Sequence, residues 1–157
     1  MSKKEDNQER HAPEASCAPG RRLLGLDLGH KRVGVAVSDE SWLTVRPLQA
    51  VPRKSWKELL RTVSEIVRSF DAQALVLGLP LSLDGTVGKA AEDTRRLARN
   101  FRLSLDIPVF MQDERLTSRE AEERLMSEGH SFDTLRDEVD SRAAAIILED
   151  FISSRMR

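Results

Sequence analysis

"GLDLGHKRVGVAVSD", residues 25–39, decides the fold. It is mostly glycine and aliphatic residues, and it reads as two buried strands joined by the short basic turn "GHKR". A link this short makes the two strands an antiparallel hairpin. Asp27 stands in the middle of the first strand, where an aliphatic residue would pack better. Its carboxylate needs a partner: Lys31 or Arg32 across the hairpin, or a cation held jointly with other acids.

Outward from the hairpin, "LTVRPLQ" is a weaker third strand, with Pro47 suited to a sheet edge. "SWKELLRTVSEIVRSF" is a helix opened by Ser55 and Glu58 as a capping box, with Trp56, Leu59, Leu60, Val63, Ile66, Val67 and Phe70 on one apolar stripe. "ALVLGLP" is a fully buried strand. A loop, "LSLDGTVG", leads to a second helix that turns Val87, Ala90, Ala91, Leu97, Ala98 and Phe101 inward and Lys89, Arg95, Arg96, Arg99 and Arg102 outward. "IPVFMQ" is a fifth strand ending at Asp113. Thr117 and Glu120 cap a third helix, and the final helix is expected from about Glu138 to Ile152. A hairpin sheet followed by right-handed crossovers gives a five-stranded mixed sheet flanked by helices, the ribonuclease H-like layout.

The chain has 157 residues, 39% hydrophobic and 32% charged, which suits one domain with a full core. Residues 1–20 are polar and are expected to be a disordered tail, leaving 21–157 as the domain. The tail lacks an apolar segment of the secretory type, and no apolar run is long enough for a membrane helix. Cys17 is the single cysteine, so no internal disulfide forms, and a cytoplasmic location is expected. Net charge is −1, but it is uneven: residues 1–102 carry 18 Lys/Arg against 13 Asp/Glu, and residues 103–157 carry 7 against 13. A basic part suits phosphates and an acidic part suits a cation, although a solvated, uneven surface would look the same.

Two more acidic sites join Asp27. Asp140 precedes Ala143, Ala144 and Ile147 of the last helix by three, four and seven residues, which puts it on the buried side. As an alternative, Asp137 is the helix N-cap and Asp140 a first-turn charge favoured by the dipole. Asp113 and Glu114 fall where the fifth strand ends, the position at which open α/β sheets hold ligands. Arg115 follows, placed to contact a phosphate or steady a carboxylate. Three carboxylate sites around one point suit Mg²⁺ or Mn²⁺. Zinc is disfavoured, because His11, His30 and His130 are scattered. Lys31 and Arg32 are candidate ligands for backbone phosphates.

"GLDLGHKRVGVAVSD", "LVLGLPLSLDGTVGKAAE", "DERLTSREAEERL" and "VDSRAAAIILEDF" resemble, in order, the four signature blocks of the YqgF family, also called the RuvX or Holliday junction resolvase family. The resemblance runs from about Leu23 to Ile152. It implies a ribonuclease H-like fold, a bacterial cytoplasmic protein and a metal-dependent nuclease. The role it implies is maturation of the 5′ end of pre-16S rRNA, or resolution of four-way DNA junctions. Carried over by position, the metal-binding and catalytic acids are Asp27, Glu114 and Asp140, with Asp113 assisting or holding the loop. Two other readings use the same features: an RNA-binding ribosome-assembly factor without cleavage, and an actin-like or sugar-kinase-like ATP-binding domain. The latter needs two lobes, and this chain has room for one. Structured RNA and branched DNA both remain open as substrates, as do monomer and homodimer.

Overall fold

The computed structural model describes residues 17–82, 84, 87–114 and 132–156, with the backbone alone for 132–140. The expected hairpin is present. Strand β1 (Leu23–Leu28) pairs antiparallel with β2 (Arg32–Ser38), Asp27 standing opposite Gly34. The expected third strand, residues 43–49, is shortened, and a short strand not expected from the sequence follows it. Both β3 (Val45–Pro47) and β4 (Val51–Pro52) pair with β2. Each short piece ends in a proline, which cannot donate to a ladder, so the edge is broken rather than continuous. The sheet therefore has six strands, not five, in the order β3-β2-β1-β5-β6 with β4 beside β3 on β2.

Helix α1 (Trp56–Phe70) begins as its cap predicts, with the Ser55 hydroxyl accepting from the Glu58 amide. Strand β5 (Ala74–Pro80) lies parallel to β1, and β6 (Val109–Glu114) lies parallel to β5. Helix α2 (Lys89–Ser104) joins them. Three side chains around α2 depart from expectation. Ala90 is exposed, and Val87 precedes the helix and is largely exposed. Arg102 turns in rather than out, its Nε and Nη2 donating to the Val109 carbonyl, because the carbonyl at the start of β6 is within reach of its stem.

The last helix, α3 (Phe132–Arg155), is longer than expected at both ends. No glycine or proline interrupts "FDTLRDEVD", so the helix continues through Asp137. Asp137 is thus not an N-cap, and Asp140 lies more than two turns inside the helix. The helix expected from Thr117 falls outside the described residues, as do residues 1–16 of the expected tail. Residues 17–20 are described, and Cys17 is buried against α3.

Alternation along the strands sends side chains to two different cores. Leu24, Leu26, Val33, Val35, Leu75, Leu77 and Val109 meet Leu59 and Val63 of α1 and Ala98 and Phe101 of α2. Leu23, Ala36, Ala74 and Val76 meet Ala144, Ile147, Leu148 and Phe151 of α3.

Candidate active site

Asp27 belongs to the α3 side of the sheet. Leu24, Leu26 and Leu28 pack toward α1 and α2, so the residues between them, Gly25 and Asp27, face α3. Strand β6 follows the same rule. Val109 and Met111 pack on the α1/α2 side and Phe110 on the α3 side, which sets Gln112 and Glu114 on the α3 side as well. Both acids are half-buried, and the Oε1 atom of Glu114 is shielded from solvent.

The strand register fixes their spacing. Leu26 stands beside Leu77, so Asp27 comes level with Gly78, and Gly78 pairs with Gln112. Glu114 is therefore two strands across from Asp27 and two residues further toward the carboxyl end. That is about 9.6 Å sideways and about 6.6 Å along the strands. The strand between them offers no carboxylate, in agreement with the sequence. The end of β6 is fixed by the Leu81 amide, which donates to the Glu114 carbonyl at 2.9 Å.

Helix α3 crosses this face closely because glycines on β1 and β5 place no side chain beneath it. A Cβ on Gly25 would lie 3.1 Å from the Ala144 carbonyl oxygen and 3.2 Å from Leu148 Cβ. One on Gly78 would lie 2.3 Å from Ile147 Cδ1. Further toward the start of the helix, the Val35 amide of β2 donates to the buried Ser141 hydroxyl at 3.4 Å. Val35 is the partner of Leu26, the neighbour of Asp27. The helical turn that contains Asp140 thus adjoins the Asp27 end of the hairpin. Asp140 falls on the same line of α3 as Ala144 and Ile147, one turn earlier. Its side chain lies outside the described residues.

The remaining expected residues are placed as follows. Asp113 is exposed and faces away from Glu114 along β6. Lys31 is exposed in the turn, and Arg32 is half-buried and shares the α3 side with Asp27, since Val33 packs on the other. Arg115 lies outside the described residues. Among the described residues no group of three His, Cys, Asp or Glu could hold a metal. Two of the three expected acids, Asp27 and Glu114, are among them. Those two share a face and an end of the sheet, and a donor set of carboxylate oxygens fits a hard divalent cation.

Two further residues that support the site carry no signal in the sequence. Arg53 donates through Nη1 to the Gly29 carbonyl at 2.9 Å and through Nη2 to Asp93 of α2 at 2.7 Å. Its backbone amide donates to the Lys31 carbonyl at 2.9 Å. The turn that follows Asp27 is thereby tied to α2. The hydrogen bond from Arg53 is the main cause that holds the Asp93 carboxyl below its ordinary value of 3.8. Each lies in an ordinary charged stretch, and only the folded arrangement brings them together.

A family model described as "RuvX: Holliday junction resolvase" matches residues 21–154. A relative from Syntrophus aciditrophicus, named "Putative pre-16S rRNA nuclease", is 44% identical over 133 residues, 85% of this chain and 89% of that protein. A relative of the same name from Synechococcus elongatus is 38% identical over 137 residues, 87% of this chain and 92% of its own. The RuvC protein of T. thermophilus, solved with a Holliday junction substrate, covers 87% of this chain and 96% of its own with a TM-score of 0.51. At 16% identity that likeness speaks for the fold alone, and it is the expected ribonuclease H-like one. The family match runs from the residues just before β1 almost to the end of α3, and the chain belongs to the RuvX family.

Proposed function

We propose that this chain is a nuclease that hydrolyses phosphodiester bonds in RNA, in maturation of the 5′ end of pre-16S rRNA. The observation that carries the reading is the placement of Asp27 and Glu114 on the α3 side of the sheet, at its carboxyl end, with the Asp140 turn of α3 alongside. Relatives named for that activity, at 38% and 44% identity, supply the substrate. Asp27, Glu114 and Asp140 would hold Mg²⁺ or Mn²⁺. A divalent ion there supplies positive charge against the phosphate and makes water a better nucleophile at neutral pH. Asp27 and Glu114 contribute negative charge at fixed points of a rigid sheet, so no reorganisation is needed when the ion and the phosphate arrive. Lys31, Arg32 and Arg115 bind the backbone phosphates on either side, and Asp113 steadies the end of β6. The reading places the protein in the bacterial cytoplasm.

Cleavage of a pre-16S leader RNA with Mg²⁺ or Mn²⁺ present tests it. Asp27→Asn, Glu114→Gln and Asp140→Asn are each expected to lose cleavage and to weaken Mn²⁺ binding in titration calorimetry. Wild-type cleavage by Asp27→Asn would remove the assignment. A second reading, cleavage of four-way DNA junctions, is favoured by the description of the matching family. It requires a two-fold dimer to cut two strands symmetrically. Junction cleavage together with a dimer mass in solution would choose it; a monomer that cuts only RNA would choose the first. RNA binding without any cleavage would leave an assembly factor.

A further inference from the structure

The Arg53–Asp93 pair does more than join the hairpin turn to α2. It ties together the hairpin turn, the segment at 53–54 and α2, which carry three exposed cations. Lys31 is the residue whose carbonyl accepts from the Arg53 amide. Lys54 is the next residue after Arg53. Arg96 is held from the other side, its Nη2 donating to the second oxygen of Asp93. Lys31 and Lys54 are exposed, and the Arg96 side chain is 65% exposed. Arg53 and Asp93 themselves are largely covered, at 20% and 30%. Glu92 lies one turn before Arg96, and even with it and Asp93 counted against the four cations the group is two charges positive.

This group sits beside the turn that follows Asp27, at the same carboxyl end of the sheet as Glu114. It lies on the hairpin and α2. We infer that Lys31, Lys54 and Arg96, carried on segments that the Arg53–Asp93 pair ties together, form a shelf for the sugar-phosphate backbone of structured nucleic acid as it leaves the cleavage point. The inference rests on the nuclease reading for its orientation, and adds Lys54 and Arg96 to the surface. Three neighbouring exposed cations suit a backbone with regularly spaced charge. Aromatic residues make up only 4% of the chain, which fits recognition of backbone and shape better than base stacking.

The test is binding of a hairpin RNA duplex to the full chain in EDTA, so that binding is read without cleavage, over a series of salt concentrations. A triple variant, Lys31→Gln, Lys54→Gln and Arg96→Gln, is expected to bind about tenfold more weakly or worse at low salt. Its log–log salt slope should shrink by about 2.7, or about 0.9 for each phosphate that is no longer neutralised. Arg68→Gln, an exposed cation in the last turn of α1, should keep both binding and slope. Thermal unfolding by circular dichroism checks that the triple variant is folded, and each single variant, expected to show about a third of the slope change, serves if it is not. Wild-type affinity and slope in folded variants overturn the shelf, whatever Asp27→Asn does. If, in a separate assay with Mg²⁺ present, Asp27→Asn still cleaves, the nuclease reading fails while the shelf stands. Displacement of the RNA by inorganic phosphate at matched ionic strength would mark a free-anion site, and equal binding of polyglutamate a general basic surface; either result overturns a backbone shelf.

Discussion

The two sides of the sheet are built on opposite rules. Toward α1 and α2 the strands present leucine and valine at almost every position, and the helices answer with Leu59, Val63 and Phe101. Toward α3 they present Leu23, Val76 and Phe110 but also Gly25, Asp27, Gly78 and Glu114, and the helix answers with Ala144 and Ile147 at close range. Apolar volume fills the first side, and it should govern stability. The second side gives up volume so that a helix can come down onto the sheet next to two carboxylates. It should govern chemistry. Stability and activity here are therefore expected to depend on largely separate residues.

The largest expected effect is on the α3 side. Asp27→Asn keeps the shape of the side chain and removes its charge. Cleavage should fall by about 1,000-fold or more, about 4 kcal/mol on the barrier, with the unfolding midpoint near wild type. Initial rates on a leader RNA and a urea titration measure the two quantities. On the other side, Leu77→Ala should do the reverse. Leu77 is fully buried in the α1/α2 core. Its truncation should cost about 3 kcal/mol of stability and leave the rate per folded molecule unchanged. A tenfold fall in rate for Leu77→Ala, measured where the variant is fully folded, would end the separation.

Much of this division was legible in the sequence. The 25–39 stretch specified the hairpin, and alternation with a short turn fixed its register. The stripe from Trp56 to Phe70 and its Ser55 cap specified α1 to the residue, because propensity, capping and periodicity agree there. What escaped had physical reasons. The third strand stops at Pro47, which cannot continue the ladder, and the two residues of β4 carry too little pattern to be read. Helix α3 started earlier because Asp137 resembles a cap in isolation, although nothing N-terminal to it breaks the helix. Asp27 could be named as an acid on a strand and Glu114 as one at a strand's end, but their common side depends on the parity of two strands and on which neighbours reach which core. The Arg53–Asp93 pair joins residues forty apart through a tertiary contact that no local pattern encodes.

Gly25→Ala probes the boundary between the two sides. The new Cβ would meet the Ala144 backbone at 3.1 Å, and a helix backbone yields less readily than a side-chain tip. Overpacking should cost about 1–2 kcal/mol, less than Leu77→Ala. Unlike Leu77→Ala, it should also slow cleavage, by about tenfold, because α3 carries Asp140 and must retreat. A Cβ on Gly78 would meet buried, β-branched Ile147 of the same helix at 2.3 Å from Cδ1 and 2.9 Å from Cγ1, so Gly78→Ala should cost at least as much stability. If Gly25→Ala loses stability and keeps its full rate, the close approach of α3 serves packing rather than the site.

The smallest effect belongs to the pair that bridges the two sides. Arg53 lowers the Asp93 carboxyl below its ordinary value, so the folded protein holds this proton more weakly than the unfolded chain. The resulting stability is fully present above the ordinary carboxylate value. It is lost as pH falls through the lower value in the folded state. Because the pair is partly open to solvent, Asp93→Asn should cost only about 0.5–1 kcal/mol at neutral pH. The gap between wild type and variant should narrow as acid protonates Asp93, and paired urea titrations across the acidic range measure it. A gap that stays constant with pH would mean that Asp93 acts by shape rather than charge. The turn after Asp27 would then be held by the Arg53 contacts to Gly29 and Lys31 alone, and the electrostatic tie between the catalytic side and the core would be absent.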